Sequence, residues 1–217
     1  LPGGPLHVLI DSTGLIDSTG LKVFGAGECL ADKHGRRSRR TYRKLNLGVD
    51  AHGGQIVACL LTDQDTDDPS QVGPLLEQIP GEIDQMTADG ACDGDGDGDG
   101  EPTYQTIAAR DPAIAVVIPP RDTAVPSPRF ESVAPARDTH LLMIESLARL
   151  AWQEVIGYGR RALVETTMGR YKSIIGASLR SRSDAAQRTE VAIGAVVLNR
   201  MLAAARPHSV RRSVAPA

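Results

Sequence analysis

Aromatic residues are sparse in this 217-residue chain, at 3% Phe, Trp and Tyr. That argues against recognition of nucleic acid by stacking bases on aromatic platforms. Cysteine is also scarce: Cys29, Cys59 and Cys92 are far apart and contain no C-x-x-C pair. They offer neither a disulfide framework nor a zinc site, and they suit a reducing cytoplasm. No apolar run approaches the roughly 18–20 residues that a membrane helix needs. The start, Leu1-Pro2-Gly3-Gly4-Pro5, has neither the basic nor the apolar stretch of a signal peptide. A cytoplasmic protein with no membrane partner is therefore expected. The length allows one substantial domain, or one with a small appendage.

The formal net charge of −3 hides a strong segregation. Lys33–Lys44 holds seven Lys or Arg, one His and no acid. Val191–Ala217 adds Arg200, Arg206, Arg211, Arg212 and His208, again without an acid. Glu82–Glu101 holds eight carboxylates and no base, so the remainder of the chain is net basic. Such a distribution can hold a polyanion on one surface and gather cations at another. The plainer alternative is a solvated basic face beside an acidic loop.

Short apolar or alternating runs predict strands over 6–10, 21–24, 42–49 and 55–62, the later ones antiparallel. Pro69–Ile79 reads as a helix with proline in its first turn. Met86–Asp89 reads as a short strand ending on a carboxylate, Thr103–Arg110 as a weak helix and Ile114–Ile118 as a buried strand. Beyond the proline-rich stretch 121–137, helices are predicted over 139–155, 161–172 and 183–205, the last capped by Ser183 or Asp184. In the first of these, Leu141, Leu142, Ile144, Leu147, Leu150 and Ala151 are expected to be core, with Trp152 near the end. Strands first and helices last imply an α/β chain with helices packed on a mixed sheet. Cys59, inside an apolar run, is expected in the core, and the scattered histidines suggest no metal site.

Two features interrupt this order. Leu9–Gly14 (LIDSTG) is repeated at once as Leu15–Gly20, and positions 93–100 read DGDGDGDG. A single six-residue tandem is too short for a solenoid, so both read as insertions into an ordinary domain. Asp93, Asp95, Asp97 and Gly98 imitate the start of a calcium-binding EF-hand loop, but the position that needs a bidentate acid is Tyr104.

Three acids stand out by context. Asp11, or its twin Asp17, follows an apolar pair, Asp89 ends the strand MTAD, and Glu165 lies inside a predicted helix. Taken singly, each would pass for a strand-end or surface carboxylate. Around Glu165, however, stand Tyr158, Arg161 and Lys172. At 100° per residue the four fall within an arc of roughly 60°, if the helix reaches back to Tyr158.

The pattern Y-(2)-R-(3)-E-(6)-K formed by these four residues resembles the signature of IS4/IS5-type DDE transposases. DSTGLKVFGAGE with YRKLNLGVD, then TADGACD, then GRRALVETTMGRYK, resemble three successive blocks of the IS5 branch. The resemblance runs from about residue 6 to 206. It implies an RNase H-like catalytic domain over 1–206, with a five-stranded mixed sheet, an acidic Gly/Asp insertion at 93–101 and a basic flexible tail at 207–217. It also implies a metal-dependent enzyme that cleaves DNA strands and transfers them, with two Mg²⁺ ions (Mn²⁺ able to substitute). The catalytic and metal-holding residues would be Asp11 or Asp17, Asp89 and Glu165. Tyr158, Arg161 and Lys172 would meet DNA, and the basic run adds Arg36, Arg37, Arg39 and Arg40. The partners implied are double-stranded transposon ends and target DNA, a second copy of the chain on that DNA, and an N-terminal DNA-binding segment encoded upstream. The setting implied is the bacterial nucleoid.

The chain departs from that pattern in places. Cys29 and Cys92 stand where aromatics are usual, and the chain starts almost at the first strand. The insertions also suit an alternative: an inactive or regulatory DNA-binding fragment of a transposase. Between the twin aspartates, Asp11 is favoured, because five strand-like residues precede it, whereas Ser12-Thr13-Gly14 precedes the second copy.

Overall fold

Val8, Leu9 and Ile10 are consecutive apolar residues, which suits a strand covered on both faces. They form the middle of β1 (Leu6–Ser12) in the computed structural model, which describes residues 4–12, 20–23, 42–93, 101–126 and 136–205. The other strands are β2 (Leu21–Val23), β3 (Tyr42–Asp50), β4 (Ile56–Asp63), β5 (Ile83–Ala88), β6 (Ala115–Val117) and β7 (Ser178–Leu179). The helices are α1 (Val72–Glu77), α2 (Glu101–Arg110), α3 (Ala136–Leu147), α4 (Arg149–Val155), α5 (Ala162–Arg170) and α6 (Asp184–Ala204). Among the described residues no helix is long and apolar enough to cross a membrane.

β4 lies antiparallel along one edge of β3, and β1 lies antiparallel along the other. β5 continues the sheet parallel to β1, and β6 parallel to β5. β2 pairs antiparallel with β3 and parallel with β7. Because β4 takes one edge of β3, β1 and β2 share the other, and β7 stands to β2 as β5 stands to β1. The seven strands of the sheet thus fall on five positions. This mixed sheet flanked by helices is the α/β architecture expected, and it is compatible with an RNase H-like fold.

The register accounts for the repeat. Ser12 faces Asn46, and Leu21 faces Arg43. Only Leu45 and Lys44 of β3 lie between those partners, yet residues 13–20 lie between Ser12 and Leu21. The excess is six residues, the length of one LIDSTG copy. β1 and β2 therefore hold the register of a single strand from which one copy is left over.

Alternation divides the core. Leu6, Val8 and Ile10 join a cluster with Val72, Leu75 and Leu76 of α1 and Ile107 of α2. Leu9 points the other way, into a cluster with Leu45, Leu47 and Val49 of β3, Val164 and Met168 of α5, and Leu198 of α6. Asp11 shares the parity of Leu9, so its side chain leaves β1 on the α5 face. Two polar devices fasten the helices. The amide of Asn199 on α6 accepts from Ile56 N–H and donates to Ile56 C=O, each at 2.8 Å. Gly194 lets α6 close on buried Tyr171, since a Cβ there would stand 2.7 Å from the tyrosine hydroxyl. Ser183 caps α6 as expected, its hydroxyl accepting from Ala186 N–H.

Two helix predictions need correction. The stretch 139–155 is not one helix. It breaks at Ala148, whose φ of 66° and ψ of 154° no right-handed helix can accommodate. Nor is its apolar stripe core. Leu142 and Leu147 are exposed, Leu150 is 77% exposed, and Leu141, Ile144 and Ala151 are half-buried. Arg137, Asp138 and His140 are buried instead, because polar partners lie beneath that face. Arg137 Nε donates to Asp93 at 2.8 Å, and His140 Nε2 bonds the Val116 carbonyl at 2.8 Å. Asp93 is thus buried and ion-paired rather than part of a solvated acidic loop or a calcium ligand set. Cys59 is half-buried at the edge of a core cluster.

The second correction concerns 161–172. Tyr158–Arg161 is a 3₁₀ turn, α5 covers Ala162–Arg170, and Tyr171–Ile175 is a π-helical turn. The four signature residues are therefore spread over three short elements.

Candidate active site

Ile10 pairs with Ala88 across the parallel ladder, so the next residues, Asp11 and Asp89, emerge side by side at the ends of β1 and β5. Gly157, at a φ of 69° that glycine accepts readily, turns the chain into the 3₁₀ turn above these strand ends. Arg161, the last residue of that turn, brings its guanidinium to both aspartates. Nη2 lies 3.1 Å from Asp11 Oδ1 and 2.6 Å from Asp89 Oδ2. Nη1 donates to Glu165 Oε1 at 2.6 Å, one turn along α5.

Three carboxylates that are far apart in sequence thus meet on one cation. Asp11 and Arg161 expose only 13% and 14% of their side-chain area, whereas Asp89 and Glu165 expose 46% and 55%. The cluster is therefore seated at its strand end and open towards α5. Asp89 is also held from below, where Oδ1 accepts from Ala91 N–H at 3.2 Å.

The surroundings respond to this concentration of charge. Burial opposes the charge on Arg161, but Asp11, Asp89 and Glu165 outweigh it and leave the guanidinium more firmly protonated than usual. Tyr158 is pushed up to about 12, first by burial, with Asp89, Asp11 and Glu165 adding to it against Arg161. Cys92 is likewise pushed up to about 12 by burial, with Asp68, Asp89 and Asp11 nearby, so it stays a thiol. Lys172, in the π-helical turn, has its pKa lowered by burial and makes no ion pair with a described residue.

Beneath the cluster a small cavity is lined by Asp11, Asn46, Asp68, Gln71, Asp89 and Cys92. Asp68, paired with Lys44 at 3.2 Å, is a fourth acid that the sequence did not single out. It lies in a turn with no motif around it, and only the fold of β3 against the start of α1 brings it there. Asp17, Arg36, Arg37, Arg39, Arg40, Cys29 and the tail 207–217 lie outside the described residues.

Residues 9–200 match a family described as Transposase DDE domain. The chain belongs to that family. No solved structure matches the chain. Membership makes this a transposase-type domain whose substrate is DNA, and members of the family use divalent metals. Among the described residues, no three His, Cys, Asp or Glu side chains stand close enough together to hold a metal ion. The guanidinium of Arg161 stands between the three acids. The donor set nevertheless fits a hard cation: it is all carboxylate oxygen, and it already gathers around one positive group.

Proposed function

We propose that this chain is the catalytic domain of an IS4/IS5-type insertion-sequence transposase, of the IS5 branch, which cleaves DNA strands and transfers them. The observation that carries this reading is the meeting of Asp11, Asp89 and Glu165, from three separate stretches, on Arg161. Asp11, rather than Asp17, is assigned to the site, a choice supported by its place in β1 beside β5.

Asp11, Asp89 and Glu165 would hold Mg²⁺, with Mn²⁺ able to substitute. Held there, such a cation would supply charge to activate an attacking water or 3′-hydroxyl and to stabilise the departing oxygen of a phosphodiester. The residues of the chain supply the rest. Asp11 and Asp89 are set by neighbouring strands, so their spacing is fixed by the ladder rather than by flexible loops. Glu165 approaches from α5 and is the most exposed of the three, which makes it the carboxylate that adjusts. Arg161 cancels part of the repulsion among the acids when DNA is absent. Its fork can then turn to a phosphate, a ligand that guanidinium matches as well as carboxylate. Tyr158 stays a neutral phenol at physiological pH and can donate to a strand at the cleavage point. Lys172 and the run containing Arg36, Arg37, Arg39 and Arg40 are assigned to backbone phosphates, with a second copy of the chain on the same DNA.

The test is Mg²⁺-dependent cleavage of duplex DNA carrying an element end. Glu165→Ala and Asp89→Ala should each abolish it while leaving the circular dichroism unchanged. Near-normal cleavage by either variant would refute the assignment. The guanidinium standing between the acids favours a second reading, an inactive or regulatory DNA-binding fragment. A wild-type chain that binds DNA but never nicks it with Mg²⁺ or Mn²⁺ would establish that reading.

A further inference from the structure

In a chain with so few aromatics, three rings pack in sequence beside the carboxylate cluster. His140 meets Trp152 edge to face at 5.4 Å between centroids, and Trp152 meets Tyr158 at 5.9 Å with a 33° tilt. Hydrogen bonds order the first pair. Val116 C=O only accepts, so His140 Nε2 carries the proton in the 2.8 Å contact. The indole N–H only donates, and it points at His140 Nδ1 from 3.2 Å. His140 is therefore neutral, with its tautomer set by its two partners.

Trp152 is fully buried, yet Ala148, the residue just before its helix, holds a conformation that suits only glycine. Backbone strain of this kind persists where the surroundings over-determine it, and the anchored indole is one such constraint.

We propose that His140 and Trp152 are positioning residues for Tyr158: the imidazole, fixed to β6, orients the indole, and the indole face sets the tyrosine ring beside Arg161 and the acids. The proposal rests on the reading of that cluster as a cleavage site. It gives the Val116–His140–Trp152 chain a purpose that core packing alone does not require, since a buried imidazole and indole could be replaced by apolar rings.

The relay works only with a neutral His140. A proton on Nδ1 would turn a donor towards the indole donor and bury a charge. Among the described residues, burial and the Val116 hydrogen bond are the influences on His140, and no charged group is among them. On α3, Arg137 is engaged by Asp93, Asp138 lies beside Arg137, and Glu145 is exposed. β6 carries no titratable residue between Ala115 and Val117. On α4, Arg149 pairs with Asp122 and Glu154 is exposed.

The test compares wild type with His140→Phe, which keeps a ring but loses both bonds. It also uses His140→Gln, whose amide can donate to Val116 and accept from the indole. His140→Phe should retain the wild-type circular dichroism and lose about ten- to a hundredfold in kcat for DNA cleavage, as small misplacements do. Its KM for DNA should stay within about twofold. His140→Gln should recover most of the rate. A His140→Phe variant as fast as wild type, or a His140→Gln variant as slow as His140→Phe, would overturn the proposal. If wild type cuts no DNA, the cleavage reading fails, and the emission of Trp152, the sole tryptophan, decides the relay. His140→Phe and Tyr158→Ala must each shift that emission, and an unmoved spectrum in either overturns it.

Discussion

Deleting one LIDSTG copy tests the register directly. Removal of residues 9–14 or of residues 15–20 produces the same protein, because the copies are identical. The shortened chain has two residues between Ser12 and the residue now at Leu21, which matches the two positions of β3 that separate their partners. β1 and β2 should then fuse into one strand. Closing an eight-residue connection costs roughly 1.8 kcal/mol on the logarithmic loop scale, and that cost disappears. Two added ladder bonds contribute about 1 kcal/mol each. Ordering two residues takes back about 1–2 kcal/mol apiece. The net expectation lies between about zero and 2 kcal/mol of added stability, read as a urea midpoint that holds or rises at unchanged m-value. The same comparison shows why Asp11 holds its place in the full-length chain. Slipping β1 by six residues would put Asp17 opposite Leu47, but it would expel Leu6 and Val8, which are buried in the core. Losing both costs about 3–6 kcal/mol, so the slipped register should hold less than about 1% of molecules. Asp11→Asn in the full-length chain should abolish Mg²⁺-dependent cleavage, and Asp17→Asn should leave it intact. A deletion variant less stable than its parent, or cleavage lost only in Asp17→Asn, would refute the reasoning.

Three further outcomes follow from packing and titration. Ala148→Gly should stabilise the chain by about 1 kcal/mol in urea denaturation, because glycine adopts the observed backbone without strain. Asn199→Ala should destabilise it by about 2–4 kcal/mol by the same measurement, since it leaves both Ile56 backbone groups without their side-chain partner. Stability should fall as the pH drops below about 6.5: burial lowers the pKa of His7 and His140, so the unfolded chain takes up protons before the folded one does. The decline should continue until the lowered folded-state values are reached, and His140→Phe should shrink it. A flat profile from pH 7.5 to 5.5 in wild type would contradict the burial of these two imidazoles.

Local patterns alone determined a good part of this protein. The apolar run before Asp11, the alternation over 42–62 and the serine cap before Asp184 are short-range signals, and the strands and the last helix form where those signals lie. The closeness of Arg161 and Glu165 was likewise legible, because a four-residue offset spans one helical turn. The single-helix reading of all four signature residues failed where the segment splits into a 3₁₀ turn, α5 and a π-helical turn. Tertiary structure decided what depends on the partner surface. Periodicity marked Leu142, Leu147 and Leu150 for the interior, but the partners on offer were the Asp93 carboxylate and the Val116 carbonyl. The face carrying Arg137 and His140 was buried instead. Asp68 reached the site only through the packing of its turn against β3, and His140 met Trp152 only because the chain breaks at Ala148. Which copy of the repeat carries the site aspartate was decided in the same way. The two copies read alike, and pairing with β3 and β5 separates them, because just one register keeps Leu6 and Val8 out of water.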